Sequence, residues 1–195
     1  ALRSWISRQA DRMPSEKFIN ELWTAFGESE PDREPRLKMP DGSSLLRYRE
    51  TVYRIKHLPE PKPCRWDQCP VTLQLPDGNG QFVMSGSDAP IPYPPEILEG
   101  QLHVSYRKGG ERIRLKGREG HHDLKDLFQD AGIPPWIRCR MPLLFMDDLL
   151  ISIGGVWTNE EATSITSLFG RLHTRWIPPE GLDPEDVIGR LRMKS

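Results

Sequence analysis

Between Arg107 and Lys125 the sequence reads RKGGERIRLKGREGHHDLK. Seven cations, Arg107, Lys108, Arg112, Arg114, Lys116, Arg118 and Lys125, stand there against Glu111, Glu119 and Asp123. The local charge is near +4 in a chain whose formal net charge is -1. This composition suits phosphate. The cations alternate with GG and G-R-E-G, where bare backbone N–H groups can approach an anion closely. The spacing predicts a helix beginning near His122, and its N-terminus would add a partial positive charge. If residues 112–115 are extended, Arg112 and Arg114 share one face and Ile113 and Leu115 the other. A guanidinium fork can clamp two phosphate oxygens, so arginines should matter more than lysines. The plainer alternative is a solvated charged surface.

His121 and His122 are candidates for a proton-transfer pair or for metal ligands. No Ser, Cys or carboxylate constellation is assigned around them, which favours contact with phosphate or backbone at the helix start. Trp136 could stack on an unpaired base, although its Pro-Pro and apolar neighbours favour packing. Arg138, two residues on, joins the candidate phosphate contacts. Glu111, among so many cations, reads as an internal partner that orients an arginine. Cys64 and Cys69 with His57 lack the second close pair that a zinc site needs. No P-loop, dinucleotide fingerprint or HExxH sequence is present, and no residue is assigned as catalytic or metal-ligating.

The elements that must position these residues follow from periodicity. Leu2, Trp5 and Ile6 begin a helical pattern already running at Ala1, which predicts an excerpt of a longer protein. Ser15 is the expected N-cap of a helix whose stripe is Phe18, Ile19, Leu22, Trp23 and Phe26, with Gly27 as its stop. After the acidic loop ESEPDREP, the segments RLKM, LLRYR and TVYRI predict a small antiparallel sheet with a turn at Pro40-Asp41-Gly42. Six cations between Arg36 and Lys56 face only Asp41 and Glu50. Among them Arg47 and Arg49 would stand on one solvent face.

HLPEPKP reads as an extended linker, and VTLQL with QFVM as a hairpin around Pro76–Gly80. Beyond the prolines of SGSDAPIPYPPE come a strand LHVSYR, the basic loop, and a helix from about His122 to Ala131. Leu124, Leu127 and Phe128 should be buried there, with Lys125 and Gln129 outward. A short helix follows from Pro135, then strands LLFM and LLISI joined at Asp147-Asp148. LFGRLHTRWI predicts a strand, and the last residues a short helix from Pro184.

The stretch GGERIRLKGREGHHDLKDLFQDAGIPPWIRCRMPLLFMDDLLISIGG resembles the C-terminal domain of the bacterial tRNA(Ile)-lysidine synthetase family. LRSWISRQADRMPSEKFINELW is similar to the domain that precedes it in that family. The elements predict an α+β protein of two domains, a small helical domain with a β-sheet appendage followed by a mixed domain of strands around one main helix, and the resemblance implies that both are tRNA-binding parts. It implies residues 1–60 as a substrate-binding domain, 61–90 as Pro-rich linker and hairpin, and 91–195 as a C-terminal tRNA-binding domain. The implied partners are tRNA(Ile) and the N-terminal catalytic domain of the same protein, with a homodimer left open. Arg107, Lys108, Arg112, Arg114, Lys116, Arg118, His121, His122, Lys125, Arg138, Arg47 and Arg49 become expected tRNA contacts. In the whole enzyme ATP with Mg would adenylate the wobble cytidine, and L-lysine would displace AMP. The family's Ser-Gly-Gly-x-Asp-Ser loop has only SGSDAP at Ser85 to set against it. Pro90, Pro92, Pro94 and Pro95 forbid the helix such a loop requires. The chain is therefore expected to bind tRNA without a cofactor of its own and to be inactive alone.

Three cysteines favour a reducing cytoplasm over a disulfide framework, and the longest apolar run, LLISIGGVW, is too short to span a bilayer. The rival reading is a protein-interaction or oligomerisation module whose basic loop meets an acidic partner, with no RNA ligand.

Overall fold

A computed structural model of the chain describes residues 15–27, 35–39, 41–49, 51–66, 72–85, 102–162, 173–179 and 182. The expected helix at Ala1, the proline run after Ser85 and the helix from Pro184 lie outside them. Backbone contacts divide the chain into two compact units, 1–57 and 58–195. The described residues are mixed α+β, with few helices and several antiparallel sheets, one of them in the first unit and three in the second.

In the first unit Ser15 caps helix α1 (Glu16–Gly27) as its side chain predicts, its Oγ accepting the Phe18 N–H at 3.2 Å. The helix lies on a sheet of β1 (Arg36–Lys38), β2 (Ser44–Tyr48) and β3 (Thr51–Ile55), in that order. Leu22, Phe26, Met39 and Leu45 form the core, with Phe18, Ile19 and Leu37 against it. Trp23 is not in the buried stripe as expected. It is 61% exposed, one helical step beyond the face that packs on so narrow a sheet. The β1–β2 turn is held by Asp41, whose carboxylate accepts the Ser43 N–H at 3.0 Å and its hydroxyl at 2.6 Å, and pairs with Arg54.

The second unit is built on a five-stranded sheet. Its order is β12 (Trp157–Thr158), β11 (Leu149–Ile153), β10 (Leu143–Met146), β7 (Leu102–Ser105) and β4 (Cys64–Arg65). A three-stranded sheet runs β13 (His173–Ile177), β6 (Gln81–Ser85), β5 (Thr72–Gln74), and β8 (Arg112–Arg114) pairs with β9 (His121–Asp123) as a ribbon. Helices α2 (Leu124–Asp130) and α3 (Pro135–Arg138) follow the ribbon. Trp66, Phe82, Phe128 and Trp176 are buried at its centre, Trp66 meeting Phe82 with ring centroids 5.5 Å apart. Within the span expected as linker and hairpin, β4 joins the large sheet and β5–β6 form the hairpin.

One buried polar node ties distant segments together. Asn79 donates from Nδ2 to the Tyr106 hydroxyl at 3.1 Å and to the Arg140 carbonyl at 2.9 Å, while its own carbonyl accepts the Trp176 indole N–H at 2.9 Å. Arg140 donates to the carbonyls of Leu58 and Pro59 at 2.7 and 2.6 Å, pinning the start of the Pro-rich segment. Burial raises the Tyr106 phenol to about 12, so it serves as a neutral hydrogen-bonding group. Strand β13 is clasped at both ends of its passage. A Cβ on Gly80 would fall 2.1 Å from the Ile177 carbonyl oxygen, and one on Gly155 would fall 2.0 Å from that of Thr174.

Candidate nucleic-acid interface

The basic segment folds into the β8–β9 ribbon because its strand positions alternate. Ile113 is fully buried, whereas Arg112, Arg114, His121 and Asp123 are exposed. The register sets Arg112 opposite Asp123, Ile113 opposite His122 and Arg114 opposite His121. The connecting tip, 116–120, turns on an Arg118 N–H to Leu115 carbonyl bond of 3.1 Å, with Gly117 and Gly120 both at φ 76. At the base Glu111 gathers the N–H groups of Lys108 and Gly109 and lies 3.9 Å from the Arg107 Nε, the internal role expected of it.

The ribbon corrects one sequence expectation. The helix starts at Leu124 instead of near His122, because pairing with β8 holds residues 121–123 extended. It is seven residues long and its N-cap position is occupied by Asp123, an acid. The helix N-terminus therefore offers no anion site. Nor do the two histidines form a pair. Adjacent on a strand, they face opposite ways, His121 exposed and His122 half-buried with its Nε2 shielded from solvent.

The candidate cations fall into two sets. Arg107, Arg112, Arg114 and His121 each have a carboxylate partner: Arg112 Nε meets Asp123 at 3.5 Å, Arg114 Nε meets Glu160 at 3.3 Å, and His121 Nε2 meets Glu161 at 2.9 Å. Each of these last three pairs is 40–58% exposed, and such pairs contribute under about 1 kcal/mol apiece. Lys108, Lys116, Arg118 and Lys125 are exposed and have no ion-pair partner among the described residues. Two of those four, Lys116 and Arg118, sit together on the tip.

Sequence reasoning missed Glu160 and Glu161, which lie about 40 residues downstream. They are carried by a single 3-10 turn, Glu160–Ala162, mounted on Asn159. Asn159 is buried, donates from Nδ2 to the Leu150 carbonyl at 2.8 Å, accepts the Glu161 N–H at 3.1 Å, and bridges to Leu115 of the ribbon. The local signal was the Asn-Glu-Glu sequence, a turn-capping pattern, but nothing local said which surface it would face. With both acids counted, the ribbon's charge falls from near +4 to near +2.

The remaining candidates lie elsewhere. Arg138 is half-buried and donates from Nε to the Ile133 carbonyl at 2.6 Å, closing the α2–α3 turn. Arg47, in the first unit, donates to the Phe26 carbonyl at 2.9 Å at the end of α1. Arg49 does not share its face. It leaves β2 in the hairpin turn at φ 54, which breaks the alternation, and lies 5.4 Å over the Tyr48 ring. Among the described residues no group of three or more His, Cys, Asp or Glu is placed to hold a metal ion, and Cys69 lies outside them. No helix of the described residues is long and apolar enough to cross a membrane.

Two families match the sequence. The TilS substrate binding domain matches residues 1–53 and the TilS substrate C-terminal domain matches residues 102–168. A tRNA(Ile)-lysidine synthase of Methylococcus capsulatus is 34% identical over 161 residues, covering 79% of this chain and 35% of that protein. One from an Enterobacter species is 31% identical over 162 residues, covering 82% and 36%. The chain thus spans about a third of the length of these curated relatives. A crystal structure of a TilS C-terminal domain covers 60% of this chain and 98% of its own, at 22% identity and a TM-score of 0.38. On the two family matches and the sequence relatives, the chain belongs to the tRNA(Ile)-lysidine synthase family, TilS, and carries its substrate-binding and substrate C-terminal regions.

Proposed function

We propose that this chain is the tRNA-holding part of a tRNA(Ile)-lysidine synthase and that the tip of the β8–β9 ribbon meets the RNA backbone. The observation that supports this reading is the concentration of uncompensated charge, Lys116 and Arg118, on a Gly-flanked tip that projects from a well-packed base. Lys108 and Lys125 extend the same charge along the ribbon's base and the first turn of α2. Duplex RNA presents phosphates and 2′-hydroxyls over a shallow minor groove, so a cationic tip would read its shape more than its sequence. In this reading Arg138 and Arg47, whose guanidinium groups hold backbone carbonyls, each support the fold of their own unit.

ATP, Mg and L-lysine are assigned to a portion of the whole enzyme outside this chain, and no chemical step is routed through the residues described above. The working partners are then tRNA(Ile) and that catalytic portion, in the cytoplasm.

The test is binding of this chain to tRNA(Ile) across a salt series, with Lys116→Ala/Arg118→Ala beside the wild type. Each lost phosphate contact reduces the slope of log K against log salt by about 1, so the double variant should lose about 2. Unchanged affinity and slope would remove the tip from the interface.

A further inference from the structure

Resting on that reading, we infer that Glu160 and Glu161 are specificity-determining residues, internal stand-ins for phosphate that weaken the ribbon's grip on any RNA unable to displace them. The geometry is two against two. Arg114 and His121 are cross-strand partners in the ribbon, and the two acids are adjacent on one turn, so both carboxylates reach the ribbon together at 3.3 and 2.9 Å. Asn159 holds that turn through backbone-directed hydrogen bonds that do not use the glutamate side chains. The carboxylates are thus aimed by the fold and do not merely drift onto the ribbon.

All four side chains keep 40–50% of their surface in water, so a phosphate can exchange for a carboxylate without unfolding anything. Such an exchange swaps one ion pair for another at Arg114 and one hydrogen bond for another at His121, and frees a glutamate that then repels the incoming strand. A random duplex touching Arg114 and His121 therefore gains little. An RNA that also reaches Lys116 and Arg118 gains those contacts undiminished, because no carboxylate among the described residues competes for them. The acids subtract from all binding but take proportionally most from poorly matched RNA, which is how a repulsive element sharpens a choice between partners.

The alternative is that the glutamates orient Arg114 and His121 for binding, and it predicts the opposite sign. The experiment compares the dissociation constants of tRNA(Ile) and of an unrelated RNA duplex of similar length for wild type, Glu160→Gln/Glu161→Gln, and the same pair of changes in an Arg114→Ala/His121→Ala background. Gln preserves length and leaves the Asn159 bonds in place, and an unchanged melting temperature verifies the fold. The glutamine variant should bind the unrelated duplex about tenfold more tightly and tRNA(Ile) by a smaller factor, so that discrimination falls. In the Arg114→Ala/His121→Ala background, the gain should shrink to the long-range repulsion alone. Weaker binding of both RNAs, or no change in either, would overturn the proposal while the Lys116/Arg118 salt series still stood. An unresponsive tip would instead remove the reading on which it rests.

Discussion

Single residues here divide between those that hold the fold and those exposed with no ion-pair partner among the described residues, and their partners tell them apart. Asp41 is of the first kind. The Ser43 hydroxyl and N–H, and then Arg54, hold its carboxyl down from 3.8 to about 2. A depressed acid stabilises the folded state above its unfolded value, and the contribution fades as pH falls through its folded one. Asp41→Asn should therefore lower the melting temperature of the first unit by a few degrees at pH 7, and the difference from wild type should shrink from about pH 4 and vanish near pH 2, as followed by thermal melts across pH. A constant offset at every pH would mean that the charge of Asp41 is not what matters. Lys116 and Arg118 are of the second kind, and their clustering on an exposed Gly-flanked turn was legible from sequence because charge and glycine spacing are local. The pairing of Arg114 and His121 with carboxylates was not, since their partners are brought up only by the chain's return through β10, β11 and β12.

At the scale of elements, periodicity served well wherever one face met a broad core. Leu124, Leu127 and Phe128 are buried with Lys125 and Gln129 outward, and LLFM and LLISI pair as β10 and β11. It served less well where a neighbour decided the outcome. The first residues expected of α2 are extended because β8 lies beside them, and Arg49 is turned aside by a hairpin. The Asn79 loop between β5 and β6 read as an ordinary Pro-Asp-Gly turn, with no hint that its Asn would be wholly buried. Replacing it tests that role. Asn79→Ala leaves the Tyr106 hydroxyl and the Arg140 main chain without a partner in a dry setting, and should cost about 3 kcal/mol in chemical denaturation of the second unit. A loss below about 1 kcal/mol would show that water or a neighbour fills the gap.

For the molecule as a whole, the division at 57 and 58 means that each unit has its own core and polar fastenings. Residues 58–195, produced alone, should unfold in one cooperative transition and keep the salt-dependent RNA binding assigned to the ribbon. A featureless melt would show that the first unit is needed for folding. The clasp on β13 has a further consequence, one of timing. Trp176 meets the Asn79 carbonyl across 97 positions of sequence, and β13 pairs with β6 along its whole length, from Ser85 to Gln81. Contacts so distant along the chain close slowly. Of the strands described, β13 is also the last to leave the ribosome. Until it docks, β6 has a bare edge of unpaired N–H and C=O groups, and the indole that caps the Asn79 node is missing. A nascent or truncated chain would thus carry an open edge prone to pairing with other chains. Prompt completion of synthesis is then itself a safeguard against aggregation.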